Sequence, residues 1–162
     1  MGQTRILALD PGTKRIGVAL SDEMGWIAQP LETFERRSLE ADVSRIQMLV
    51  DRHGVCEVVV GLPLRSDGSI GPEAEGVQRF VERLGQNLPA PVVAWDERFT
   101  SKLAEGILIG ANVSRKKRKG AVDRMAAAIL LQSYLEARSS AGDSSGGPTG
   151  GDREDHAFWD GA

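Results

Sequence analysis

The chain has 162 residues, 41% of them apolar and 27% charged, enough for one domain with a real core and too short for two of ordinary size. No apolar run approaches the ~20 residues that span a bilayer, and Met1-Gly2-Gln3-Thr4-Arg5 lacks the layout of a secretory leader, so no membrane partner is expected. The formal net charge of −3 argues at first against a nucleic-acid partner, and the single cysteine, Cys56, allows neither an internal disulfide nor a thiolate cluster for zinc; a cytoplasmic protein is expected.

Ile6-Leu7-Ala8-Leu9 is a short apolar run ending in Asp10 and then Pro11-Gly12, which reads as a strand followed by a turn. Ile16 to Leu20 is a second strand, close enough to pair antiparallel with the first. A third is expected around Ala28 to Phe34. Ser38 is placed to cap a helix with the apolar stripe Leu39, Val43, Ile46 and Val50, and Gly54 to end it. Val58-Val59-Val60 reads as a buried strand running out into Gly61-Leu62-Pro63. Arg65 to Gly71 is a polar loop. Pro72 suits the first turn of a helix with Val77, Phe80, Val81 and Leu84 inward. Pro91 to Trp95 is another strand, leading into Asp96-Glu97. Thr100 or Ser101 caps a helix to about Ile109, Gly110 to Gly120 is a loop, and a last helix covers about Ala121 to Ala137. On it Val122, Met125, Ala126, Ile129, Leu130 and Tyr134 are expected to face inward.

The order βββ-α-β-α-β-α-α implies an α/β fold: a mixed five-stranded sheet, strands 1–3 antiparallel and the later ones parallel, with helices on both faces. Residues 1–138 form this domain. Residues 139–162 are Gly- and Ser-rich and acidic, with too little apolar surface to offset the entropy of ordering. They read as a disordered tail, whose segment 152–160 could dock on a protein partner.

Charge follows the same division. The tail holds five acids and one base, whereas the first 138 residues hold 19 bases and 18 acids and are nearly neutral. Within them Arg115, Lys116, Lys117, Arg118 and Lys119 form one dense basic run. Such a run on a near-neutral domain is compatible with phosphate backbones, although a solvated loop would look the same.

Functional groups in open α/β sheets gather beyond the carboxyl ends of the strands. Asp10 ends the first strand, Glu97 follows the fifth, and Asp123 lies in the first turn of the last helix; Asp10 and Glu97 are therefore expected side by side on adjacent strands, with Asp123 joining them where the last helix starts over that edge. Singly, each has an ordinary explanation: a turn initiator, an exposed ion pair with Arg98, a charge at a helix N-terminus. Together, three converging carboxylates repel one another unless a divalent cation joins them. Oxygen ligands without a His or Cys cluster favour Mg²⁺ or Mn²⁺. Two such ions ~4 Å apart can clamp the attacking water and leaving oxygen of a phosphodiester.

Four segments carry a resemblance. Ile6 to Ala19, with Asp10-Pro11-Gly12-Thr13-Lys14-Arg15, is similar to the opening motif of the YqgF family, also called RuvX, bacterial RNase H-like proteins related to Holliday junction resolvases. Val60 to Leu64 followed by Asp67-Gly68 and Gly71-Pro72 resembles its second motif, Asp96 to Ser101 its third, and Lys119 to Asp123 through Leu135 its fourth. The resemblance implies an RNase H-like fold, with Asp10, Glu97 and Asp123 as catalytic residues holding Mg²⁺ or Mn²⁺. It further implies a nuclease that matures the 5′ end of 16S ribosomal RNA in ribosome biogenesis, with resolvase activity on branched DNA as the alternative. Related resolvases carry a fourth carboxylate three positions before the last aspartate, where this chain has Gly120; Arg65-Ser66 stand where the family more often has Asn and Met.

With that context the basic residues Lys14, Arg15, Arg98 and Arg115 to Lys119 read as nucleic-acid contacts. Five phosphate contacts from the run would give a log–log salt slope of roughly −3.5 to −4.5. Symmetric junction substrates would suit a homodimer. Two rival readings remain at this point. Asp10-Pro11-Gly12-Thr13 also resembles the first phosphate loop of sugar kinases and chaperone ATPases, which need a second domain for which no residues are left. A non-catalytic RNA-binding assembly factor would bind RNA equally well with or without metal.

Overall fold

The computed structural model describes residues 5–97 and 125–138. Five strands are present: β1 (Arg5–Pro11), β2 (Arg15–Ser21), β3 (Ala28–Glu35), β4 (Val55–Leu62) and β5 (Val92–Asp96). They form one sheet in the order β3-β2-β1-β4-β5. β1 pairs antiparallel with β2, and β2 with β3. The crossovers through helices α1 (Leu39–His53) and α2 (Pro72–Asn87) make β1–β4 and β4–β5 parallel. A third helix, α3, occupies residues 125–138. The expected mixed sheet is thus observed, and β4 begins three residues earlier than its apolar triplet suggests.

Period-2 alternation divides the core into two layers. Leu7, Leu9, Ile16, Val18, Val58 and Val60 face α1 and α2, meeting Val43, Ile46, Val77 and Phe80. Ile6, Ala8, Ala19, Val59 and Val93 face α3, meeting Ala127, Leu130, Leu131 and Tyr134. Helices therefore cover both faces. Small residues on the α3 side of the sheet, and alanines on α3 itself, let helix and sheet approach closely.

Local signals act as expected at α1. The Ser38 side chain accepts from the Ala41 N–H at 3.1 Å, and Gly54 ends the helix in the left-handed region at φ 63°. Three inward-facing assignments change. Leu39 is 37% exposed and Leu49 is buried in its place, because a residue at the first helical position lies at the rim. On α3, Met125 and Ile129 are only half-buried, while Ala127, Ala128, Leu131 and Leu135 are buried.

α3 is tied to the sheet end away from the candidate site. Its Gln132 accepts from the Ala28 N–H (2.9 Å) and donates to the Trp26 carbonyl (3.1 Å), holding the β2–β3 turn. Its Tyr134 hydroxyl donates to Glu57 on β4, which also pairs with Arg138 at 2.7 Å. Burial and the Glu57 carboxylate push the Tyr134 phenol up from its ordinary range. No helix among the described residues is long and apolar enough to cross a membrane.

Candidate active site

β1, β4 and β5 run parallel, so their carboxyl ends share one edge, and α1 and α2 begin there. Asp10 is the penultimate residue of β1, and Glu97 follows β5 directly. Asp10 continues the face of Ile6 and Ala8; Glu97 continues that of Val93 and Trp95. Both therefore lie on the α3 side of the sheet. They share a side-chain hydrogen bond, but their strands are not adjacent as expected: the crossover through α1 places β4 between β1 and β5.

The residue of β4 at that level is Gly61, which pairs with Trp95 and follows Val60, the partner of Leu9. The Glu97 carboxylate lies over Gly61: a Cβ there would stand 2.2 Å from Glu97 Oε2 and 3.3 Å from Leu130 Cδ2. The Glu97 backbone is fixed by its N–H, which donates to the Leu62 carbonyl at 3.3 Å.

Burial is the largest influence on Glu97, followed by the hydrogen bond with Asp10 and the charges of Asp10, Asp96 and Glu73; together they push its carboxyl up to about 10. The burial of the site and the nearby Asp10 carboxyl both disfavour the charged form of Glu97. This is the behaviour of two carboxyl groups too close to ionise together.

Among the described residues no three His, Cys, Asp or Glu side chains gather in a way that could hold a metal ion. Asp10 and Glu97 supply two oxygen ligands, the chemistry that suits a hard divalent cation. Asp123, expected as the third, lies outside the described residues, as do Arg98, the Arg115 to Lys119 run, the helix expected to about Ile109, the loop from Gly110 to Gly120 and the tail from 139.

Lys14 is exposed in the β1–β2 turn and Arg15 is half-buried at the start of β2. By alternation Arg15 lies on the face of Asp10, beyond Gly17, the antiparallel partner of Asp10. Two cations here were not read as site residues from the sequence. β3 returns antiparallel and delivers Arg36 and Arg37 to the same edge, where the Arg36 N–H donates to the Lys14 carbonyl at 2.8 Å. The Arg36 side chain serves the fold. It donates to the Gly12 carbonyl at 2.8 Å, pairs with buried Asp42 at 3.7 Å and lies over the Phe80 ring. Arg37, whose N–H donates to Asp42 at 3.1 Å, leaves its side chain exposed. Arg65, also exposed, lies across Gly71, the N-cap of α2. The adjacent pair Arg36-Arg37 just before a helix cap was the only available signal, and only the strand direction gives it meaning.

Residues 4–137 match the family model described as "RuvX: Holliday junction resolvase". A relative from Halalkalibacterium halodurans, named "Putative pre-16S rRNA nuclease", is 50% identical over 134 residues, covering 82% of this chain and 96% of its own. One of the same name from Symbiobacterium thermophilum is 49% identical, covering 84% and 94%. Among solved structures, the RuvC of T. thermophilus in complex with a Holliday junction substrate aligns with a TM-score of 0.52 at 16% identity, covering 84% of this chain and 96% of that one. The Fowlpox virus resolvase with its junction DNA aligns at 0.51 and 14% identity, covering 82% and 97%. At such identities these two likenesses show the fold alone, an RNase H-like resolvase fold.

Proposed function

This chain belongs to the RuvX family of nucleases, and on that premise we propose that it is a metal-dependent hydrolase of phosphodiester bonds that trims precursor 16S ribosomal RNA in the cytoplasm. One observation carries the chemistry: the Asp10 and Glu97 carboxyl groups meet across β4, over Gly61, at the carboxyl ends of the parallel strands. We assign Asp10, Glu97 and Asp123 as the catalytic, metal-holding carboxylates. The sequence predicts a helix from about Ala121, and on such a helix Asp123, seven positions before Leu130, would share the face of Leu130, whose side chain lies beside Gly61. The nuclease domain is residues 1–138, in keeping with a family match that ends at 137, and 139–162 is an acidic tail.

When bound, Mg²⁺ or Mn²⁺ would supply the positive charge that activates water and stabilises the leaving oxygen. The chain's own groups do the rest. Asp10 and Glu97 would hold the ion through their carboxylate oxygens, Glu97 in its deprotonated form. Leu130 of α3 lies against the volume over Gly61 that the Glu97 carboxylate occupies. Lys14, Arg15 and Arg37 at this sheet edge hold the phosphate backbone, and Arg98 and the Arg115 to Lys119 run are assigned the same role from their sequence.

The test offers precursor 16S rRNA and a four-way DNA junction side by side, with Mg²⁺, Mn²⁺ or chelator, to wild type and Asp10→Asn. Expected is metal-dependent cutting of the RNA, lost at least 100-fold in Asp10→Asn with folding retained. Junction cleavage alone would favour the resolvase activity in the family's description. Equal RNA binding without cutting under every metal condition would refute the nuclease and leave an RNA-binding assembly factor.

A further inference from the structure

Gly61 is buried in the interior of a central strand, where glycine weakens the sheet and needs a reason. Its backbone supplies none. The glycines that require a left-handed conformation among the described residues are Gly25, Gly54 and Gly68, and Gly61 is not one of them. The reason is space. Asp10 and Glu97 belong to β1 and the end of β5, two strand spacings apart, or about 9.6 Å. Neither side chain spans that gap without lying over β4. The Glu97 carboxylate does so at Gly61, occupying the volume a Cβ would take.

The two neighbours of that volume differ in consequence. Leu130 Cδ2, at 3.3 Å from the Cβ position, needs to give by a few tenths of an ångström. Glu97 Oε2, at 2.2 Å, would have to retreat by more than 1 Å. Because that atom ends a flexible side chain, the sheet survives and the carboxylate moves. A misplacement of about 1 Å in such a constellation is enough to cost on the order of 100-fold in rate.

We propose that Gly61 is a positioning residue of the active site: by lacking a side chain it opens the passage across β4 through which Glu97 reaches Asp10, and so sets the spacing of the two carboxylates. This rests on the reading of Asp10 and Glu97 as a metal pair. Gly61 touches no substrate and acts only through Glu97.

Mn²⁺ affinity of the full chain, measured by isothermal titration calorimetry, separates the possibilities without relying on turnover. Gly61→Ala is expected to weaken Mn²⁺ binding 10- to 100-fold, with the melting temperature in chelator changed by only a few degrees. Glu97→Asp withdraws the carboxylate by one methylene. In that background, adding Gly61→Ala is expected to cost less than about threefold, the non-additivity of two groups in contact. Equal losses in both backgrounds, or wild-type affinity in Gly61→Ala, would overturn the proposal. Should Gly61→Ala fail to fold, recovery of folding in the double variant supports the clash with Glu97, and failure of both variants overturns it. Asp10→Asn is the control. If it keeps wild-type affinity, the metal-pair reading falls and this proposal with it; if it loses binding while Gly61→Ala does not, only the role of Gly61 falls.

Discussion

Replacing Glu97 by Gln tests the electrostatics of the carboxylate pair without metal or substrate. In the unfolded chain this carboxyl ionises near 4.5, whereas in the folded protein burial and Asp10 hold the proton up to about 10. Between those values the native state binds one proton more than the unfolded state. Stability contributed by this group is therefore complete below the unfolded value and declines as pH rises towards the folded one. The steepest possible decline is about 1.4 kcal/mol per pH unit. From pH 6 to 8 that sets a ceiling of about 3 kcal/mol, and solvent access to the half-buried pair brings the real value below it. For a domain of this size the ceiling corresponds to roughly 10 °C in melting temperature. Glutamine keeps the shape and a donor for Asp10 but has no proton to lose, so its profile lacks this decline. Differential scanning calorimetry in chelator, at half-unit steps from pH 5 to 9, should show wild type losing ground to Glu97→Gln as pH rises. Added Mn²⁺ should remove much of the difference by taking the place of the proton. Parallel profiles for the two proteins would refute a shared proton.

Three further perturbations separate fold from site. Leu130→Ala removes a fully buried side chain between α3 and the sheet and should cost about 2–5 kcal/mol in a urea titration. Ser38→Ala deletes the cap on Ala41; a loss of about 1 kcal/mol is expected, with cleavage within twofold of wild type. Lys14→Ala combined with Arg37→Ala should flatten the log–log salt dependence of single-stranded RNA binding by about 1.4, while melting temperature stays constant; an unchanged slope would remove both residues from the nucleic-acid surface.

Periodicity and turn chemistry alone determined the five strands, the first two helices and the carboxyl ends at which chemistry belongs. These signals are local. Ser38 caps and Gly54 terminates through their own backbone geometry, and the alternation in Ile6 to Leu9 reports burial whatever packs on it. The motif resemblance added the family. Only the tertiary structure decided that Asp10 and Glu97 meet, since two strand spacings separate them and nothing near either residue encodes the passage at Gly61. It likewise brought Arg36 and Arg37 to the edge where Asp10 and Glu97 meet, because β3 reverses direction, and assigned one to holding the Gly12 carbonyl and the other to solvent. It moved the inward positions of α3 towards Ala127 and Leu131, since the angle at which a helix lies on a sheet depends on the small residues beneath it. A residue's type and spacing are properties of the chain; which side chain fills the space left by a glycine on another strand is a property of the fold.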